Sequence, residues 1–228
     1  MEPLFYLNVD FWAVFWYNKT YMHLEILDPK RKKLLSKLDF LNKQGFYMAG
    51  GTALALQIGH RTSLDFDFYT ENKFVSEKIH QELRKRFNEV VLLQKSEETL
   101  IVKVDNVAIS FFCYPYPLIH PEIRCKEIYL ASKEDIAAMK IIAISDRGAK
   151  RDFIDVYFLL KEFSLKEIFD FVKKKYPEFN IYVGLRGLAY FADAEKKQQR
   201  KLYLFRSVSW VEIKKFLIKE VRKFQKNA

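Results

Sequence analysis

Asp65 and Asp67 stand one residue apart in the run Leu64-Asp65-Phe66-Asp67-Phe68. In an extended chain, residues i and i+2 point the same way, so the two carboxylates share one face and the two phenylalanines the other. Two such acids can hold a hard divalent cation. Phosphoryl transfer uses cations held in this way to neutralise a triphosphate and to activate the attacking hydroxyl. Upstream lies Met48-Ala49-Gly50-Gly51-Thr52, which places two of the chain's seven glycines side by side. A glycine pair between a strand and a helix lets bare N–H groups approach a phosphate closely, and Thr52 adds a hydroxyl there. Taken singly, an Asp-x-Asp is common on surface strands and a Gly-Gly is usually a turn. Their joint spacing is more specific. The flanking phenylalanines half-bury the acids, and without a cation the two would repel and one pKa would rise.

Two further clusters lie downstream. Lys140 falls on a predicted helix whose apolar face includes Ile136, Met139 and Ala143. A lysine there is either a snorkelling edge residue or a phosphate ligand. Asp152 and Asp155 are spaced i, i+3 on the face of the next predicted helix. Asp152 could favour the helix dipole or pair with Arg147. Either acid could orient or deprotonate an acceptor hydroxyl or hold a base, with Asp155 the stronger candidate by motif position. Arg147 and Lys150 could balance a triphosphate or bond these acids.

Gly50-Gly51-Thr52-Ala53, followed by Arg61-x-Ser63-x-Asp65-x-Asp67, resembles the signature of the AbiEii/AbiGii toxin family of the minimal nucleotidyltransferase superfamily. Ser132 to Lys140 resembles that family's lysine motif, and Arg147-x4-Asp152-x2-Asp155 its last one. The resemblance covers roughly residues 22–175. It implies an α+β fold, with a polymerase-beta-like mixed sheet and helices followed by a helical C-terminal part. It implies an enzyme that takes a nucleoside triphosphate (NTP) and Mg²⁺ or Mn²⁺ and acts as a toxin of a toxin–antitoxin or phage-defence system. Some members transfer nucleotides to tRNA, and the usual partner gene encodes a winged-helix antitoxin. Carried onto this chain, Asp65 and Asp67 would ligate the metal. Gly50, Gly51, Thr52 and Ser63 would contact the triphosphate, and Arg61 and Lys140 would stabilise its charge. Arg147 and Asp152 would complete the nucleotide site, and Asp155 would be catalytic.

One position departs from the wider fold family. Enzymes of this fold often carry a third carboxylate on a neighbouring strand, and Ser110 occupies that place within Val107 to Phe112. Serine is a poor Mg²⁺ ligand, so a catalytically weak or inactive nucleotide- or partner-binding protein of the same fold stays open. A glycosyltransferase using Asp-x-Asp is disfavoured by the glycine pair and the downstream motifs.

Several predicted elements must position these residues. Asp28-Pro29 caps a helix over residues 30–44, with Leu34, Leu35, Leu38 and Leu41 as its apolar stripe. Phe46 to Met48 is a strand, Ala53 to Ile58 a short helix stopped by Gly59, and Leu64 to Tyr69 the acid-bearing strand. A helix over residues 74–87 precedes strands at 90–93, 100–104 and 107–112, with a turn at Asp105-Asn106. Beyond about Ile128 the pattern is nearly all helical: 132–145, with Ser132 as cap, then 150–161, 165–174 and 208–226. The expected parts are an aromatic N-terminal extension (1–21), an α/β core (22–130) and a helical region (131–228).

Composition bounds the rest. The 228 residues are 50% hydrophobic and 30% charged, an ordinary globular profile with room for a sizeable core. The net charge of +10 suits a phosphate-rich partner or a merely solubilising surface, and the basic stretches at Lys196–Arg200 and Lys214–Lys226 share that ambiguity. Two cysteines and four scattered histidines argue against a disulfide framework or a zinc site. The aromatic run from Phe11 to Tyr17 is too short to span a bilayer and lacks signal-peptide features. The expectation is a cytoplasmic protein without a membrane partner.

Overall fold

The computed structural model describes residues 21–196 and 202–227. The N-terminal extension, up to residue 20, and most of the basic stretch 196–200 lie outside the described residues. A seven-stranded mixed sheet in the order β3-β4-β5-β2-β1-β7-β6 forms the framework. Its strands are β1 (Tyr47–Ala49), β2 (Phe66–Thr70), β3 (Val90–Lys95), β4 (Thr99–Val104), β5 (Val107–Cys113), β6 (Ile123–Cys125) and β7 (Ile128–Leu130). Among the described residues, three α-helices lie before or within the sheet, α1 (Pro29–Leu35), α2 (Gly50–Ile58) and α3 (Ser76–Arg86), and six follow it: α4 (Lys133–Asp146), α5 (Lys150–Leu159), α6 (Leu165–Lys175), α7 (Ile181–Ala189), α8 (Ala192–Lys196) and α9 (Trp210–Asn227). Among the described residues, no helix is long and apolar enough to cross a membrane.

Most local signals hold. Asp28 caps α1 by accepting from the Arg31 N–H at 2.8 Å. Gly59 ends α2 in the left-handed conformation at φ 60°. Asp105 and Asn106 both take positive φ, 44° and 65°, and join β4 to β5 as a tight hairpin. Ser132 caps α4, with the Asp135 N–H donating to its hydroxyl at 3.0 Å.

The expected single helix over residues 30–44 is instead α1 followed by a 3₁₀ turn, Asp39–Gln44. The chain turns at Ser36, whose N–H reaches the Leu34 and Lys32 carbonyls. Leu34, Leu35, Leu38 and Leu41 are nonetheless all buried, so the apolar spacing was right and the continuity wrong. β6 and β7 went unread because each has three residues. α7 went unread because Gly184 and Gly187 lower its helix propensity.

All seven strands precede residue 131 and the six later helices follow it. One hydrophobic cluster nevertheless runs through both parts, from Phe66, Phe68 and Phe111 of the sheet to Ile136, Ile141 and Phe153 of the helices. A buried ion pair reinforces it. Asp135, beyond its place in the α4 cap, meets Lys175 of α6 at 2.7 Å with both side chains fully buried. The same carboxylate accepts from the Ile119 N–H at 2.9 Å, and Lys175 also donates to the Pro117 carbonyl at 2.9 Å. These extra bonds satisfy charges that burial would otherwise leave costly.

Candidate active site

The glycine pair and the acids meet because β1 and β2 are antiparallel neighbours. Ala49 lies opposite Asp67, and Asp67 lies opposite Ser110 on the parallel neighbour β5. Ala49, Asp67 and Ser110 therefore form a row across three adjacent strands, with Gly50 directly after Ala49. β2 begins at Phe66, so Asp65 immediately precedes the strand rather than sitting within it. Both acids still line one cavity of about 310 Å³ with Gly50, Gly51, Ser63 and Ser110. Arg61, Lys140, Arg147 and Arg151 line it too, four cationic groups around two carboxylates. A hollow of about 330 Å³ beside α6, α7 and α9, lined by Leu165, Phe169, Ile181 and Phe224, has no such convergence of acids and glycines.

Both glycines are required sterically. Gly50 has φ 72°, in the left-handed region, and a Cβ there would lie 3.2 Å from Asp67 Oδ2. A Cβ on Gly51 would lie 2.3 Å from the Arg61 guanidinium nitrogen Nη2. No side chain caps α2, whose cap position is Ala49. The start of α2, where an α-helix leaves its first N–H groups without intrahelical partners, lies at the cavity wall through Gly50 and Gly51. Gly51→Ala must displace Arg61, which is 2% exposed and pinned on its far side. The expected result is a stability loss of about 1–3 kcal/mol and NTP binding weakened about tenfold or more, measured by thermal unfolding and by titration with a fluorescent nucleotide. Unchanged nucleotide affinity would exclude the glycine turn from the site.

The cations are held by two buried acids on α5. Asp155 accepts from Arg61 Nε at 2.6 Å, Arg61 Nη2 at 2.9 Å and His60 Nε2 at 2.8 Å. Its second oxygen also lies 2.7 Å from Lys140 Nζ. Asp152 accepts from Lys140 Nζ at 2.8 Å and from Arg147 Nε and Nη2 at 2.9 and 3.0 Å. Burial opposes the charge on Asp155, yet Arg61 and Lys140 and the bonds from Arg61 and His60 hold its pKa well below the usual carboxylate range. Asp152 is lowered likewise, against its burial, by Lys140 and Arg147. Burial pushes His60 down, in spite of Asp155, so the ring is neutral with its proton on Nε2.

This geometry departs from two expectations. Asp155 is fully buried with its oxygens facing cations, where it positions Arg61 and Lys140 and does not face the cavity. Asp152, equally buried, takes the expected place of partner to Arg147 and also pairs with Lys140. Thr52 is 1% exposed, and its hydroxyl lies 2.8 Å from Ser63 Oγ and bonds the Asp65 carbonyl. It ties the glycine turn to the acid-bearing segment instead of facing the cavity. Sequence reading missed Arg151 and Tyr69, which also line the cavity. Arg151's place inside the Arg147–Asp155 motif was the available signal.

Asp67 is the perturbed acid. Burial pushes its pKa up, a hydrogen bond from Ser110 pulls it back, and the charge of Asp65 pushes it further up. Among the described residues, no group of three or more His, Cys, Asp or Glu side chains is arranged to hold a metal. The donor set on offer is Asp65 and Asp67, with Ser110 beside Asp67 where a third acid was expected. Hard oxygen donors, an acid destabilised by burial and a neighbouring charge fit one Mg²⁺-like cation that draws its other ligands from phosphate and water.

The chain is similar to several known proteins. Residues 33–109 and 101–225 match a family described as nucleotidyl transferase AbiEii toxin, type IV toxin–antitoxin system. The protein aq_aa25 of Aquifex aeolicus (strain VF5) is 38% identical over 188 residues, covering 80% of this chain and 89% of that protein. The solved structure of JHP933 from Helicobacter pylori superposes with TM-score 0.53 at 17% identity, covering 88% of this chain and 96% of that one. A second H. pylori structure, described as a nucleotidyltransferase, gives TM-score 0.52 at 16% identity, covering 89% and 99%. At these identities the two structures are similar in fold.

Proposed function

The chain belongs to the AbiEii nucleotidyl transferase toxin family, and from that premise we propose that it moves a nucleotide from an NTP to the terminal hydroxyl of an RNA. What carries the reading is the meeting of Gly50-Gly51, the acids Asp65 and Asp67 and the cations Lys140, Arg147 and Arg151 in one cavity. The bare N–H groups at the start of α2 bind the β- and γ-phosphates, and the buried guanidinium of Arg61 adds positive charge behind them. Lys140, fixed by Asp152 and Asp155, presents its ammonium at a set point beside them. A preset charge needs no reorganisation as negative charge develops on the phosphoryl oxygens. Asp65 and Asp67 would hold a divalent cation, which supplies Lewis-acid charge to the triphosphate.

In the transfer, the acceptor hydroxyl gives its proton to solvent water and its oxygen bonds to the α-phosphorus. The bond from that phosphorus to the α–β bridging oxygen breaks, and pyrophosphate leaves. With the phosphate tail on the Gly50 side of the row, the acceptor enters from the Ser110 side, opposite the leaving group. The cytoplasm, where NTP and RNA meet, is the proposed place of action. A winged-helix antitoxin is the proposed restraint.

The test is incubation with each α-labelled NTP, Mg²⁺ and total tRNA. Label on RNA that requires Mg²⁺ is the expected result. NTP binding with no transfer to any RNA would favour instead a nucleotide-binding protein of the same fold. Ser110, in the place of an acid, is the observation on the side of that second reading.

A further inference from the structure

Residues 202–206, Leu-Tyr-Leu-Phe-Arg, return from the helical region to the mouth of the cavity. The Thr62 N–H donates to the Tyr203 carbonyl at 2.9 Å, and the Phe205 N–H to the His60 carbonyl at 3.0 Å. Between them Arg61 and Leu204 form an antiparallel bridge. The segment is thus tied to the two residues that Asp155 pins, and Leu202 itself lines the cavity. Extended geometry alternates its side chains. Leu202 and Leu204 pack on the core, while Tyr203 and Phe205 point away from it, 66% and 45% exposed. Their rings meet edge to face, with centroids 5.3 Å apart and planes at 76°.

We propose that Tyr203 and Phe205 form a stacking platform for the unpaired 3′ nucleotides of the RNA acceptor. The inference rests on the reading that the acceptor is RNA, and it adds where that RNA lies and in what form. Paired aromatic rings left in water on the segment whose Leu202 borders the cavity match the faces of unstacked bases, which a duplex keeps covered. The charge around them is complementary to a sugar–phosphate backbone. Arg206 is exposed next to the pair, and Lys140, Arg147 and Arg151 line the cavity that Leu202 borders. The hydrogen bonds to residues 60–62 tie the platform to the chain that leads directly into Ser63 and Asp65.

The test uses the full chain and two labelled RNAs, one with an unpaired 3′ end and a blunt duplex of the same sequence, read by fluorescence anisotropy without turnover. The wild type should bind the unpaired end more tightly. Tyr203→Ala/Phe205→Ala should weaken that binding about tenfold or more, with the duplex and NTP affinities and the melting temperature unchanged. Tyr203→Trp/Phe205→Trp should restore binding. Undiminished binding by the double-alanine protein, or equal weakening on both RNAs, overturns the platform. A loss confined to NTP affinity also overturns it, by assigning the rings to the donor base. A wild type with no preference for the unpaired end, while label transfer to another acceptor continues, would sink the platform and leave nucleotidyl transfer standing.

Discussion

Asp67→Asn is expected to reduce nucleotidyl transfer by about a thousandfold or more, while raising the melting temperature of the protein. The first effect follows from losing one of two cation ligands; a cation's charge on the triphosphate is worth about 4 kcal/mol, which is roughly three decades of rate. The second follows from the direction of the Asp67 pKa. Burial and the charge of Asp65 raise it in the folded protein, so ionised Asp67 costs stability at neutral pH. Asparagine keeps the shape and removes that charge. If the cost is about 1 kcal/mol, the melting temperature rises by about 2–4 °C for a chain of this size. Mg²⁺ should then stabilise the wild type and leave the variant unmoved. The measurements are label transfer and thermal unfolding with and without Mg²⁺. A variant that transfers normally, or that responds to Mg²⁺ as the wild type does, would remove Asp67 from the metal site.

Asp155→Asn is expected to act in the opposite sense on stability. The carboxylate is fully buried and accepts from His60, Arg61 and Lys140. Removing its charge leaves Arg61 in particular, 2% exposed, without its partner. Breaking a buried pair in this way costs about 3–5 kcal/mol, a fall in melting temperature on the order of 10 °C. Arg61→Met in the same protein should recover part of the loss, because it withdraws the stranded charge. The pH dependence has a definite sign. A carboxyl held below its ordinary value contributes stability that is fully present above about pH 4 and is lost as pH falls through the folded-state pKa. The gap between wild type and Asp155→Asn should therefore narrow as the pH drops below about 4. A gap that stays constant into that range would show that Asp155 is not an ionised partner of the cluster.

The two variants separate the roles of acids that look alike in one dimension. Asp67 costs the fold and is the proposed cation ligand. Asp155 serves the fold and reaches the site only through Arg61 and Lys140. Nothing in the i, i+3 spacing of Asp152 and Asp155 distinguishes a solvent-facing acid from a buried one, because helix periodicity says which residues share a face and not what covers that face. What covers this face is the helix bearing Lys140 and the segment His60-Arg61, ninety-odd residues away in the chain.

By itself the sequence determined the parts whose causes are local. Asp28, Gly59, Ser132 and the Asp105-Asn106 turn act within a few residues of themselves, through capping bonds and positive φ, and each stands as read. The glycine pair and the acid pair were legible for the same reason, since strand alternation and a strand-to-helix turn are short-range geometry. The α+β order of the chain followed from hydrophobic periodicity. Tertiary structure alone decided the register that sets Ala49 against Asp67 and Asp67 against Ser110. It alone sent Asp155 inward to Arg61, set the Arg61 guanidinium where a Gly51 Cβ would be, and brought residues 202–206 back to His60–Thr62. Those outcomes depend on which distant surfaces bury one another and on how buried charges find partners, and both are properties of the packed chain rather than of any stretch of it.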